Sequence, residues 1–194
     1  MIVFISGGVR SGKSRVAEQC AQKLADEGDR LHYIATAKKT DEEMAERIRH
    51  HQLQREKGRW KTWEQPHTLR EIVSFFHTCD VILLDCLTNL WANEMFQDEQ
   101  WQIEEKMQKR AQNVYRDILD LASRTKGLVI VSNELFNGGV PSDAGTYLYM
   151  KGLGWLHQQI VAVSSVAIVM QYGIPIVKKG ERPCGTEPFL PCNF

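Results

Sequence analysis

Ile2-Val3-Phe4-Ile5-Ser6-Gly7-Gly8-Val9-Arg10-Ser11-Gly12-Lys13-Ser14 begins as an apolar run and ends in G-G-V-R-S-G-K-S, a complete phosphate-binding loop. The order matters more than the string. Such a loop works only where a buried strand ends, the chain turns, and a helix starts with its N-terminus facing the turn. Here Gly7, Gly8 and Gly12 supply the turn and Lys13 to about Asp26 the helix. Backbone N–H groups in that turn converge on an anion. Lys13 reaches β- and γ-phosphates, and the Ser14 hydroxyl is a ligand for Mg²⁺. The implied ligand is a nucleoside triphosphate, with Gly7, Gly8, Val9, Arg10, Ser11, Gly12, Lys13 and Ser14 as its cradle.

A second segment complements the first. Asp80-Val81-Ile82-Leu83-Leu84-Asp85 is a short apolar run ending in a carboxylate, the form of a strand that presents a Walker B acid to a metal beside the loop. Alone the pattern is common in parallel sheets. Paired with a full phosphate loop, it makes Asp85 the expected partner of Ser14 at a Mg²⁺ site.

Strand and helix patterns alternate along the rest of the chain. Leu31–Thr36 reads as a second strand. Thr40 with Glu43 forms a capping box for a helix that ends near Lys57-Gly58-Arg59. Trp60 to Trp63 is a short extended piece, and Pro66 opens a helix to about His77. Leu87 to Arg124 is helical with a break near Gln97-Asp98, Leu128 to Ser132 is a strand, and a turn-rich loop precedes a helix of about Thr146 to Val161. Val166 to Met170 is the last strong strand. The alternation implies an α/β fold of the P-loop NTPase type: a mostly parallel sheet with helices on both faces and ligands at the carboxyl ends of the strands. Residues 1–180 are expected to form one domain and residues 181–194 a Pro-rich irregular tail.

Composition narrows the partners. The chain has 194 residues, 43% of them hydrophobic, enough for one sizeable core. Its 24 Lys+Arg balance 24 Asp+Glu, which argues against a basic nucleic-acid surface or a polybasic membrane anchor. Without a spanning stretch or signal-peptide pattern, the expectation is a cytoplasmic protein with reduced thiols at Cys20, Cys79, Cys86, Cys184 and Cys192. Trp91, Met95, Phe96 and Trp101 fit either a core or an interface between copies.

The helix from Thr40 carries His50 and His51. At about 100° per residue, His51 lies beside the apolar stripe of Met44 and Ile48, and His50 points away from it. Adjacent histidines diverge on a helix, so joint chelation of one metal is not expected. Solvent exposure without a task is the plain reading of His50.

The set G-G-V-R-S-G-K-S, Ile34-Ala35-Thr36, D-E-E-M-A-E-R-I-R-H-H (Asp41 to His51), Trp63-Glu64, L-L-D-C-L-T-N-L (Leu83 to Leu90), S-N-E (Ser132 to Glu134) and G-I-P-I-V-K (Gly173 to Lys178) resembles the bifunctional adenosylcobinamide kinase / adenosylcobinamide-phosphate guanylyltransferase family of cobalamin biosynthesis. The resemblance runs from the first residue to about Lys179, and R-I-x-H-H is its most restrictive element. It implies that GTP and ATP are substrates, that adenosylcobinamide is the acceptor, and that the protein is a homo-oligomer. It places the guanylylated histidine at His50, with Lys13 as the other catalytic residue. It also implies nucleotide contacts from Ala35, Thr36, Ala37, His51, Gln52, Leu53, Gln54, Glu64 and Asp85. Glu64 suits guanine or ribose donors and equally suits a solvated turn. Two stretches depart from the family pattern. N-E-V-G-x-G-I-V-P becomes Asn133 to Pro141 with Phe136 and Gly139 altered, and R-D-x-x-G-x-x-N-Q becomes Met150 to Gln158. Two other readings are a small-molecule kinase that transfers only a γ-phosphoryl group, and a nucleotide-dependent binding protein or switch without transfer chemistry.

Overall fold

Runs of Val, Ile and Leu that are apolar at every position build the centre of the sheet, because such strands can be buried on both faces. A computed structural model of the protein describes residues 1–38 and 60–181. The expected helix from Thr40, the residues His50, His51, Gln52, Leu53 and Gln54, and Cys184 and Cys192 of the tail lie outside the described residues. The strands are β1 (Ile2–Gly7), β2 (Arg30–Ala35), β3 (Trp60–Glu64), β4 (Asp80–Asp85), β5 (Gly127–Asn133), β6 (Val166–Gln171) and β7 (Ile174–Lys179). They form one sheet in the order β3-β2-β4-β5-β1-β6-β7, parallel except for β7. The helices are α1 (Lys13–Leu24), α2 (Arg70–Val73), α3 (Leu87–Met95), α4 (Glu104–Arg124) and α5 (Ala144–Val163).

Period-two alternation sends successive strand residues to opposite faces. Val3, Ile5, Leu83 and Val131 pack with Val16, Ala17, Cys20 and Ala21 of α1. Ile2, Phe4, Leu84 and Ile130 face the other layer, with Trp91 of α3, Ile118 of α4 and Leu156 of α5. Helices therefore cover both faces, as the sequence pattern predicted. The α3–α5 contact is close: a Cβ on Gly152 would lie 2.3 Å from the Trp91 ring, so only a glycine fits there. Trp91 and Met95 are wholly buried, while Phe96 is 47% exposed and meets Trp101 edge to face at 5.8 Å. The apolar cluster is thus core on one side and surface on the other. Cys20, Cys79 and Cys86 are free thiols.

One expectation needs correction, one is extended, and one strand was not expected. The helix expected over 66–77 is only Arg70–Val73, because Thr68 takes a left-handed φ of 53° and its N–H is held by Glu94 Oε1 at 2.5 Å, which turns the chain before helix can start. Trp60 to Glu64 is a full edge strand paired with β2. Ile174–Lys179 is a seventh strand, antiparallel to β6 and containing Pro175. Proline is tolerated because β7 is an edge, and Tyr172 (φ 53°) with Gly173 (φ 79°) makes a two-residue hairpin of the I′ kind.

Candidate functional site

Strand order brings the carboxyl ends of β1, β5, β4, β2 and β3 side by side. The register pairs Gly7 with Asn133, Val131 with Asp85, and Ala35 with both Asp85 and Glu64. Phosphate loop, Asp85, Ala35 and Glu64 thus share one edge although 78 positions separate Gly7 from Asp85.

The loop leaves β1 through Gly7, where a Cβ would come 2.8 Å from both the Cβ and the carbonyl oxygen of Met170. Arg10 (φ 58°) and Gly12 (φ 86°) take left-handed conformations, and Ser11 N–H donates to the Gly8 carbonyl at 3.3 Å. Helix α1 starts at Lys13 without a side-chain cap. Its first-turn N–H groups, together with the positive end of the helix dipole, face the loop and favour an anion there. Val9 is exposed and Ser11 partly buried, so the loop carries its functional surface on the backbone rather than on side chains.

Lys13 folds back, its Nζ donating to the Gly8 carbonyl at 2.6 Å. Burial lowers the pKa of this ammonium, and Cys86 and Asp85 oppose the shift. Burial also pushes the Cys86 thiol up to about 12, so the thiol is uncharged at neutral pH. Asp85 Oδ2 accepts from Ser14 Oγ at 3.4 Å and from Tyr33 OH at 3.0 Å. Two hard oxygen groups, the Ser14 hydroxyl and the Asp85 carboxylate, therefore stand together at the mouth of the loop. That donor chemistry fits Mg²⁺, which takes a few protein oxygens and completes its shell with phosphate and water. Among the described residues there is no group of three or more His, Cys, Asp or Glu able to hold a metal by themselves.

Thr36 is wholly buried and used by the scaffold. Its hydroxyl donates to the Cys86 carbonyl at 2.7 Å and accepts from Cys86 N–H at 2.8 Å, and its own carbonyl accepts from Asn93 Nδ2 at 2.8 Å. It thereby ties the turn after β2 to the turn after β4. Ala37 is partly exposed next to it, and Glu64 is exposed at the end of β3.

Sequence reasoning assigned no role to several residues that the fold brings here. Tyr33 lies two positions before the end of β2 on the face that carries Ala35, and its spacing from Ala35 is the signal that was available. Strand β5 inserts Ser132, Asn133 and Glu134 between the phosphate loop and Asp85, with Glu134 N–H donating to the Gly7 carbonyl at 2.9 Å. Thr88 Oγ1 accepts from Asn133 N–H at 2.7 Å and meets Ser132 Oγ at 3.0 Å. Ser132 Oγ in turn meets His157 Nε2 at 2.7 Å. Burial lowers the His157 pKa to about 4, so the ring is neutral and its tautomer sets the direction of the bond to the serine. Phe4 and Phe136 pack edge to face on that ring at 5.0 and 5.5 Å.

Residues 3–178 match the family model described as cobinamide kinase / cobinamide phosphate guanyltransferase. The bifunctional adenosylcobalamin biosynthesis protein CobP of Pseudomonas aeruginosa is 34% identical over 180 residues, covering 92% of this chain and 97% of the relative. The bifunctional adenosylcobalamin biosynthesis protein CobU of Salmonella typhimurium is 30% identical over 186 residues, covering 91% of this chain and 98% of the relative. Among solved structures, a KaiC-like protein of the hyperthermophilic archaeon Pyrococcus horikoshii aligns with a TM-score of 0.47 at 11% identity, over 92% of this chain and 78% of that one.

Proposed function

The chain belongs to the cobinamide kinase / cobinamide phosphate guanyltransferase family, and from that membership we propose how its residues divide two reactions. The protein is a bifunctional enzyme of adenosylcobalamin biosynthesis. It phosphorylates adenosylcobinamide, and it transfers GMP from GTP to adenosylcobinamide phosphate to give adenosyl-GDP-cobinamide. Residues 1–180 carry both activities.

In the kinase reaction the aminopropanol hydroxyl oxygen of the acceptor attacks the γ-phosphorus of ATP or GTP. The bond from that phosphorus to the bridging oxygen breaks, the diphosphate leaves, and the hydroxyl proton is released. In the second reaction a neutral His50 nitrogen attacks the α-phosphorus of GTP and pyrophosphate departs, leaving a P–N bond to GMP. A phosphate oxygen of the acceptor then attacks the same phosphorus, the P–N bond breaks, and the imidazole is restored.

The observation that supports this reading is the placement of Lys13 in the field of the Asp85 carboxylate, which accepts from Ser14 at the head of α1. The loop N–H groups and Lys13 hold the triphosphate and offset charge that develops on the leaving phosphates. Ser14 and Asp85 would hold Mg²⁺, which supplies further charge neutralisation at the phosphates. Tyr33 orients Asp85. Ala35, Ala37, Glu64 and the 51–54 segment are assigned to the nucleoside, with Thr36 shaping that wall through its bonds to Cys86.

Incubation with GTP labelled at the α- or the γ-phosphate tests the proposal. Acid-labile, alkali-stable α label on the native chain, absent from His50→Ala, is the expected result. Absence of protein-bound α label while corrinoid turnover proceeds removes His50 from the role.

A further inference from the structure

Two stretches, Phe136 to Pro141 and Met150 to Gln158, are separate in sequence but meet in space. They form the walls of one open groove of about 550 Å³ between the loop after β5 and helix α5. Its apolar lining is Phe136, Val140, Pro141, Tyr147, Met150 and Trp155. Val140 is 84% exposed and Tyr147 46%. The other four are half-buried, and an open apolar concavity of this kind suits a ligand. The amide of Gln158 and the ammonium of Lys151, which is ion-paired with Glu104, supply polar groups at the edge.

One wall of the groove is hydrogen-bonded to the strand end that meets the phosphate loop. Glu134, whose N–H binds the Gly7 carbonyl, accepts from Phe136 N–H through Oε1 at 2.9 Å, so groove wall and phosphate loop are tied to the same strand end. The Phe136 ring also rests on His157, which is bonded to Ser132 of β5.

We propose that this groove seats the corrin ring of the acceptor, so that the ring lies beside the phosphate loop and its side arm enters the site. The inference rests on the function proposed above. A corrin offers a broad apolar face with a rim of amides, which matches an apolar trough edged by Gln158 and Lys151.

The test is titration of the full chain with adenosylcobinamide in the absence of nucleotide, read as quenching of tryptophan fluorescence by the corrin chromophore. It compares wild type with Val140→Asp and with Tyr147→Ser. Both positions are exposed, and unchanged thermal midpoints confirm that the variants are folded. The expected result is corrinoid affinity at least tenfold weaker in Val140→Asp and several-fold weaker in Tyr147→Ser, with GTP affinity within twofold of wild type. Wild-type corrinoid affinity in both variants overturns the inference and leaves the proposed function standing. The same holds if Val140→Asp changes the oligomeric state while corrinoid binding persists, which makes the groove a contact between copies. A wild-type protein that neither binds nor phosphorylates adenosylcobinamide overturns the proposed function and this inference together.

Discussion

Strand β4 carries an aspartate at each end, and the two live in opposite electrostatic conditions. Asp80, wholly buried, accepts from Arg30 at 2.6 and 3.0 Å and from His77 N–H at 2.7 Å, while His32 Nε2 approaches it at 3.2 Å. Burial alone would raise its pKa, but the His77 N–H, Arg30 and His32 together hold it below the ordinary carboxylate range. Asp85 receives hydroxyls from Ser14 and Tyr33, and among the described residues no lysine or arginine is ion-paired with it. A carboxylate saturated by a fixed cation serves the fold. One positioned by neutral donors suits the Mg²⁺ role proposed for Asp85. The amino-acid string D-V-I-L-L-D does not distinguish the two ends; the partners do.

The contrast predicts opposite responses to the same substitution. Asp85→Asn is expected to lower kcat/KM for both reactions at least about 100-fold, about 3 kcal/mol of transition-state stabilisation, with the thermal midpoint nearly unchanged. Asp80→Asn should do the reverse, costing about 2 kcal/mol of folding stability because Arg30 loses its partner, while its half-exposed guanidinium limits the loss. Steady-state kinetics and denaturant melts on both variants check the pair, and equal kinetic losses would erase the distinction.

Acid sharpens it further. The folded His157 binds its proton at about 4 against an ordinary 6.5, so its neutral form contributes stability that is complete above about pH 6.5 and drains as pH falls toward 4. Between pH 6.5 and 5.5 the wild type should lose about 1 kcal/mol more than His157→Gln in urea melts. His32, also lowered by burial, contributes to both proteins and cancels in the difference. The smallest effect is expected from Tyr33→Phe, which removes one hydroxyl from Asp85. The Mg²⁺ concentration for half-maximal nucleotide binding should rise about threefold, with affinity for metal-free nucleotide unchanged.

Much of the architecture could be read from the string because its signals are local. The β1–loop–α1 unit, the β4 carboxylate and the break between α3 and α4 each lie within a few consecutive residues. What escaped was set by distant partners. Edge strand β7 buries too little to show an apolar run, and it carries a proline that only an edge permits. The insertion of β5 between β1 and β4, which brings Asn133 to the loop, is a property of strand order. Likewise, nothing local to Thr36 reveals that both hydrogen-bonding capacities of its hydroxyl are committed to Cys86, 50 positions away. The nucleotide-handling motif was legible because it is a strand, a turn and a helix start in sequence. The groove beside it was not, because its walls come from two segments joined only by folding.

The tight approach of Gly7 to Met170 has a mechanical consequence. The phosphate loop is indexed against its neighbour β6 as well as anchored to its own helix, like a latch whose strike plate belongs to another panel. A bulkier side chain at either position would be registered first as a displaced grip on the triphosphate, well before the sheet itself gave way.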